Sequence, residues 1–234
     1  MIEAVTELRR RCPGVPIYGI IDRDLAAAEA LDSDFIGKGI LRTPRCTLEN
    51  YLLESECWAK VFSFIFSRQG AAPDSWDAPI QVRGYIEHAF QECLPLSAYN
   101  HVIQYGNHRY TQQARQTPEA ARSYRDHPDA LAGGGPAVKL RSWGQQLGAA
   151  EDFGDLFERE LQALERDPAR WPQDVSGKPV LQSLHRRFPR LPGAGQFSLS
   201  HYLNLYVREC PFPPEDIAAL INRIVEHARW SRRE

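Results

Sequence analysis

The stretch from Ile17 to Asp24, IYGIIDRD, constrains the fold more than any other part of the chain. Five largely apolar residues, with β-branched Ile17, Ile20 and Ile21, read as a short strand covered on both faces, the pattern of a parallel sheet rather than a half-exposed hairpin. This strand runs directly into two carboxylates, Asp22 and Asp24. In open α/β sheets, ligands bind outside the carboxyl ends of the strands. Acids one residue apart at such an end can turn toward one hard cation, with Arg23 pointing away, and that cation takes its remaining oxygen ligands from elsewhere. Solvation of a loop after a strand is the other reading of Asp-X-Asp.

Ahead of the strand, Ile2, Val5 and Leu8 recur at helical spacing, and Pro13-Gly14 ends the element, so an α-β entry is expected. After Asp24, LAAAEALDSD reads as a short helix, and Phe35 to Leu41, with Gly37 and Gly39, as a second strand or extended segment. Thr47 is a good N-cap for a strongly apolar helix, LENYLLESECWAKVFSFIF, and Glu49 suits the positive end of its dipole. Asn50 and Tyr51 read as anchors of that helix start, and Trp58, Phe62 and Phe66 as core. Helices are then expected over 80–94, 96–104, from Thr117-Pro118, and over 152–166, with Gly133 to Gly135 as a break. Three more follow: one capped by Ser176 in Ser-Gly-Lys-Pro, with Val180, Leu181 and Leu184 inward, then 198–208 and 214–229.

Other features narrow the function classes. The start MIEAVTELRRR lacks a signal-peptide core, and no apolar run approaches the ~20 residues of a membrane span, so a cytoplasmic protein without a membrane partner is expected. Cys12, Cys46, Cys57, Cys93 and Cys210 are widely spread with no C-x-x-C pair, and read as reduced, mostly packed thiols rather than a disulfide framework or zinc site. The net charge of -2 argues against a protein that coats DNA. It leaves room for a local basic groove from Arg9 to Arg11, Arg186 and Arg187, or Arg229 to Arg233. His185, His201 and His227 form no ligand pair.

Three segments converge on one resemblance. IYGIIDRD followed by CTLENYLLE resembles the TOPRIM-like domain of the overcoming-lysogenization-defect (OLD) nucleases and the related DUF4435 proteins, partners of ABC-type ATPases in bacterial anti-phage defence. The likeness covers residues 15–55 and, loosely, 172–190. It implies that Asp22 and Asp24 match the family's metal-binding acid pair, and that Thr47 and Glu49 match its Ser-X-Glu with a hydroxyl retained. Lys178, one of four lysines in an arginine-rich chain, is the match for its lysine at the scissile phosphate. Asp22, Asp24, Glu49 and Lys178 are thus the expected catalytic set, and Asp22, Asp24, Thr47 and Glu49 the expected ligands of Mg2+ or Mn2+. Two metal ions can activate water and stabilise the leaving oxygen of a phosphodiester, while lysine acts as a point charge. In that family a preceding strand ends in Glu-Gly-X-X-Asp. Glu3 and Glu7 lie on the predicted first helix and are no match, so an N-terminally truncated segment or an inactive relative is expected.

The expected fold class is therefore α/β, a partial TOPRIM-like parallel sheet with a large, mostly α-helical remainder. Its expected divisions are 1–60 as the α/β segment, 61–172 as a helical insertion or lid, and 173–234 as a helical part packing back on the first. The leading function is a metal-dependent nuclease acting on nucleic acid, DNA favoured, with an ABC-type ATPase partner. The alternative is an inactive interaction or sensor module. A haloacid-dehalogenase-type phosphatase ranks lower, since its Asp-X-Asp-X-Thr/Val pattern meets Ala26 here.

Overall fold

The computed structural model describes residues 2–23, 39–69, 78–114, 135–188, 197–210 and 214–230. It is mostly helical, with one small parallel sheet of two strands. Helix α1 (Ile2–Arg11) ends at a turn with Gly14 at φ 82°, a conformation that glycine adopts without steric penalty. Strand β1 (Gly19–Ile21) then pairs in parallel with β2 (Ile40–Arg42), Gly19 opposite Ile40 and Ile21 opposite Arg42. Side chains alternate across these strands. Ile40 faces α1, where a Cβ on Gly19 would lie 2.8 Å from Val5, so that glycine lets helix and strand meet. Leu41 faces the other way, onto Leu220 of the last helix. Ile20 and Ile21 are only half-buried. The expectation of a strand buried on both faces is met in part: helices lie against both faces of the sheet, while among the described residues β1 has a neighbouring strand along one edge only.

The expected continuous helix after Thr47 is broken in two. A 3-10 turn over Leu48–Leu52 is followed by Leu53 and Glu54, and α2 (Ser55–Gln69) begins only then. Tyr206 makes the break possible. Its hydroxyl accepts the Glu54 N–H at 3.3 Å and donates to the Tyr51 carbonyl at 3.1 Å, while the Trp58 indole N–H takes the Leu52 carbonyl at 2.8 Å. Backbone groups that a helix would pair internally thus find side-chain partners.

The remainder is a helical body. Helix α3 (Ala78–Arg109) runs through Pro95 as one element where two were expected. Cys93, Leu94, Leu96 and Ala98 are all buried around that proline, and packing on both sides of it offsets the lost backbone bond. A short α4 (Thr111–Ala114) follows. Helix α5 (Pro136–Leu147) starts with proline and ends at left-handed Gly148, and α6 (Phe153–Arg166) is capped by Asp152, whose carboxylate accepts the Gly154 and Asp155 N–H groups. Helices α3 and α5 approach closely at Gly106, where a Cβ would lie 2.5 Å from the Trp143 ring. A 3-10 turn (Pro168–Arg170) leads to the short α7 (Trp171–Asp174), then α8 (Gly177–Arg187), α9 (Leu199–Glu209) and α10 (Glu215–Trp230). The body's aromatic centre is Trp58, Phe62, Phe188, Tyr202 and Tyr206.

The cysteines depart from expectation. Packing of α9 on α2 brings Cys57 and Cys210 together in a disulfide, their Cα atoms 5.4 Å apart across 153 residues, while Cys12, Cys46 and Cys93 form no disulfide. No helix among the described residues is long and apolar enough to cross a membrane. The segments 25–34 and 117–118 lie outside the described residues.

Candidate functional site

Asp22 follows β1, and its carboxylate accepts the backbone N–H of Leu48 at 2.9 Å. That N–H opens the 3-10 turn, one of the helix-start donors with no partner inside the helix. Asp22 therefore stands against the Thr47-Leu48-Glu49 segment, and the two parts of the sequence motif meet. Arg23 turns back over the same loop, its backbone N–H donating to the Thr43 hydroxyl at 3.1 Å and its guanidinium to the Pro44 carbonyl at 3.2 Å.

The third segment arrives from far downstream. The Gly177 N–H at the start of α8 donates to the Thr47 hydroxyl at 3.0 Å, and that hydroxyl donates to Asn50 Oδ1 at 2.9 Å. Asn50 is buried; its Oδ1 also accepts the Thr47 N–H, and its amide N–H donates to the Val175 carbonyl at 3.0 Å. The approach leaves no room for a side chain, since a Cβ on Gly177 would lie 2.5 Å from the Asn50 nitrogen. Lys178, exposed on the first turn of α8, is carried to this joint by its neighbour.

Arg45 secures the loop before Thr47. Its guanidinium donates to the Asn50 carbonyl at 3.0 Å, pairs with Glu54 and with Asp216 of α10, and stacks 4.6 Å from the centre of the Tyr51 ring. Burial opposes the charge on Arg45, but the hydrogen bond and field of Glu54 and the field of Asp216 outweigh it and raise its pKa above the ordinary guanidinium value. Burial also pushes the Tyr51 hydroxyl up to about 12. Neither Arg45 nor Gly177 stands out in the sequence. The partners of Arg45 include a residue 171 positions away, and only the Ser-Gly-Lys helix start hints at Gly177.

Four of the five expected site residues lie among the described ones. Asp22 and half-buried Glu49 sit on adjoining segments, and Lys178 lies beside the Thr47 joint. Thr47 is buried, with its hydroxyl hydrogen-bonded on two sides, and acts as a structural pin. Asp24 lies outside the described residues. In kind, two carboxylates suit a hard divalent cation. In number they fall short: among the described residues, no group of three or more His, Cys, Asp or Glu is arranged to hold a metal ion, and one Asp22 oxygen is taken by Leu48. No family model, curated protein or solved structure matches the chain.

Proposed function

We propose that this chain is a TOPRIM-like phosphodiesterase segment that acts on nucleic acid, DNA before RNA, alongside an ABC-type ATPase in anti-phage defence. One observation carries the reading. Asp22, the Thr47 to Asn50 turn and the start of α8 are separated by 26 and 130 residues in sequence, yet backbone-to-side-chain hydrogen bonds join them at one place. These are the segments that the resemblance nominates.

Asp22, Asp24 and Glu49 are the residues that would hold Mg2+ or Mn2+, with Asp24 as the third carboxylate. When bound, such an ion lowers the pKa of a coordinated water and polarises the phosphodiester. The rest of the work falls to the chain itself. The Leu48 N–H orients the Asp22 carboxylate, Thr47 and Asn50 fix the position of α8, and Lys178 offers a point positive charge to a phosphate oxygen.

A second reading, a non-cutting interaction module, is favoured by the hydrogen bond that already engages Asp22 and by the short ligand count among the described residues. Calorimetry with Mg2+ and Mn2+, followed by a plasmid-nicking assay, separates the two. The phosphodiesterase reading expects wild-type binding and nicking, both lost in an Asp22→Ala, Asp24→Ala double variant, with Lys178→Ala slowing nicking at unchanged metal affinity. No metal binding and an intact plasmid in the wild type would leave the interaction module.

A further inference from the structure

His101 of α3 lies where three elements cross, and both of its ring nitrogens face acceptors. Nδ1 is 2.7 Å from a Glu160 carboxylate oxygen on α6, and Nε2 is 2.9 Å from the backbone carbonyl of Asp174, the last residue of α7. A carbonyl only accepts, and so does an ionised carboxylate. Both bonds therefore require a ring that donates from both nitrogens, the imidazolium form. The other groups around the ring fit a cation there. Ser97 donates its hydroxyl to the same Asp174 carbonyl at 2.7 Å. Arg170 pairs with the Asp174 carboxylate at 2.7 Å and reaches Glu160 only at 4.0 Å, so the Glu160 carboxylate is left mainly to His101.

The carbonyl that His101 grips lies one residue before Val175, whose own carbonyl takes the Asn50 amide, and three before Gly177, whose N–H takes the Thr47 hydroxyl. We infer that His101 is a proton-operated brace: protonated, it holds the 171–178 segment, and with it the start of α8, against the Thr47 joint; deprotonated, it lets that segment loosen. A neutral ring has one donor, so one of the two bonds becomes a lone pair facing an acceptor.

The brace is intact between two limits. The hydrogen bond from His101 is the main cause holding the Glu160 carboxyl below its usual range, against the opposing effect of burial. The Glu160 contribution is thus present above the ordinary carboxylate range and is lost as pH falls through the lowered value. At the other limit the brace fails when the ring gives up a proton, because two acceptors then face a single donor. His101 is a positioning residue. Its consequence for Lys178 rests on the phosphodiesterase reading, whereas the brace itself does not.

Amide exchange measured by NMR between about pH 5.5 and 8.5 tests the brace directly. Protection factors of Val175 and Gly177, corrected for intrinsic exchange, should fall about tenfold in the wild type across that range, the scale of one charge-assisted hydrogen bond. Glu160→Gln should hold its protection at the upper end, because a neutral amide can donate to Nδ1 while Nε2–H keeps the carbonyl. His101→Gln should give a nearly flat profile. A flat wild-type profile, or a Glu160→Gln profile that falls as the wild type does, overturns the brace. A plasmid left intact at every pH would remove the phosphodiesterase reading and leave the exchange result standing.

Discussion

The two-stranded sheet and the helical body are held together by unlike means. In the body, Trp58, Phe62, Leu140, Phe153, Leu164, Val180 and Leu184 are wholly or almost wholly shielded from solvent and form one contiguous cluster. The sheet has Leu41 and Leu220 at its outer face, supported by half-buried Tyr18, Ile217 and Ile224, and by Val5 on the α1 side. Directional contacts add to this thin packing. The Tyr18 hydroxyl meets His227 of α10 at 2.7 Å, and Arg45 ties the loop after β2 to Asp216. Asp22 thus comes from the lightly packed part, and Thr47, Gly177 and Lys178 from the edge of the heavily packed one. Segments with little buried apolar contact open locally at lower cost than a core does. The candidate site lies across that boundary, so its geometry depends on how firmly the sheet is pressed to the body.

The contrast can be broken most forcefully from the body. Trp58→Ala removes a fully buried ring that packs on Phe188 and Tyr206 and leaves the Leu52 carbonyl without its indole partner. It should cost about 3–5 kcal/mol and lower the global urea midpoint of the whole chain. Leu220→Ala should cost less, roughly 2–3 kcal/mol, and act locally. Exchange of the β1 and β2 amides should quicken while the amides of α3 and α6 keep their protection; equal loss in both regions would show that sheet and body unfold as one. Gly177→Ala sharpens the comparison at the boundary. Its methyl meets the Asn50 backbone, so the start of α8 must back away from the Thr47 turn at a cost of roughly 1–3 kcal/mol. Tryptophan fluorescence in urea should report a modest midpoint shift, with faster exchange of the Asn50 amide than in Leu220→Ala.

Local signals carried a good part of the fold. The apolar periodicity of 153–164 fixed the inward face of α6, since Phe153, Phe157 and Leu164 are buried and Leu156 and Leu161 half-buried. Val180, Leu181 and Leu184 are likewise the inward face of α8, and Ser198 caps α9 by accepting the His201 N–H. Where distant residues intervene, the same signals misled. Pro95 reads as a helix boundary, but its flanks are buried on both sides. The run after Thr47 reads as one helix, but Tyr206, 155 residues from Tyr51, supplies hydrogen bonds that hold it broken. Cys57 and Cys210 form no short-range pattern, and only the packing of α9 on α2 pairs them.

The order of residues alone settles that a β-branched strand leads into Asp22, that a helical start follows Thr47, and that a helix opens after Ser176. Each is a matter of backbone preference and apolar period, which neighbours a few positions apart establish. Which of these meet is another matter. The Leu48 N–H could have taken a side chain of its own turn but took Asp22, and the Thr47 hydroxyl reaches beyond its own capping box to accept the Gly177 N–H. A cap needs a partner of the right kind at hydrogen-bond distance, and that distance is set by how the sheet, the turn and α8 pack in three dimensions.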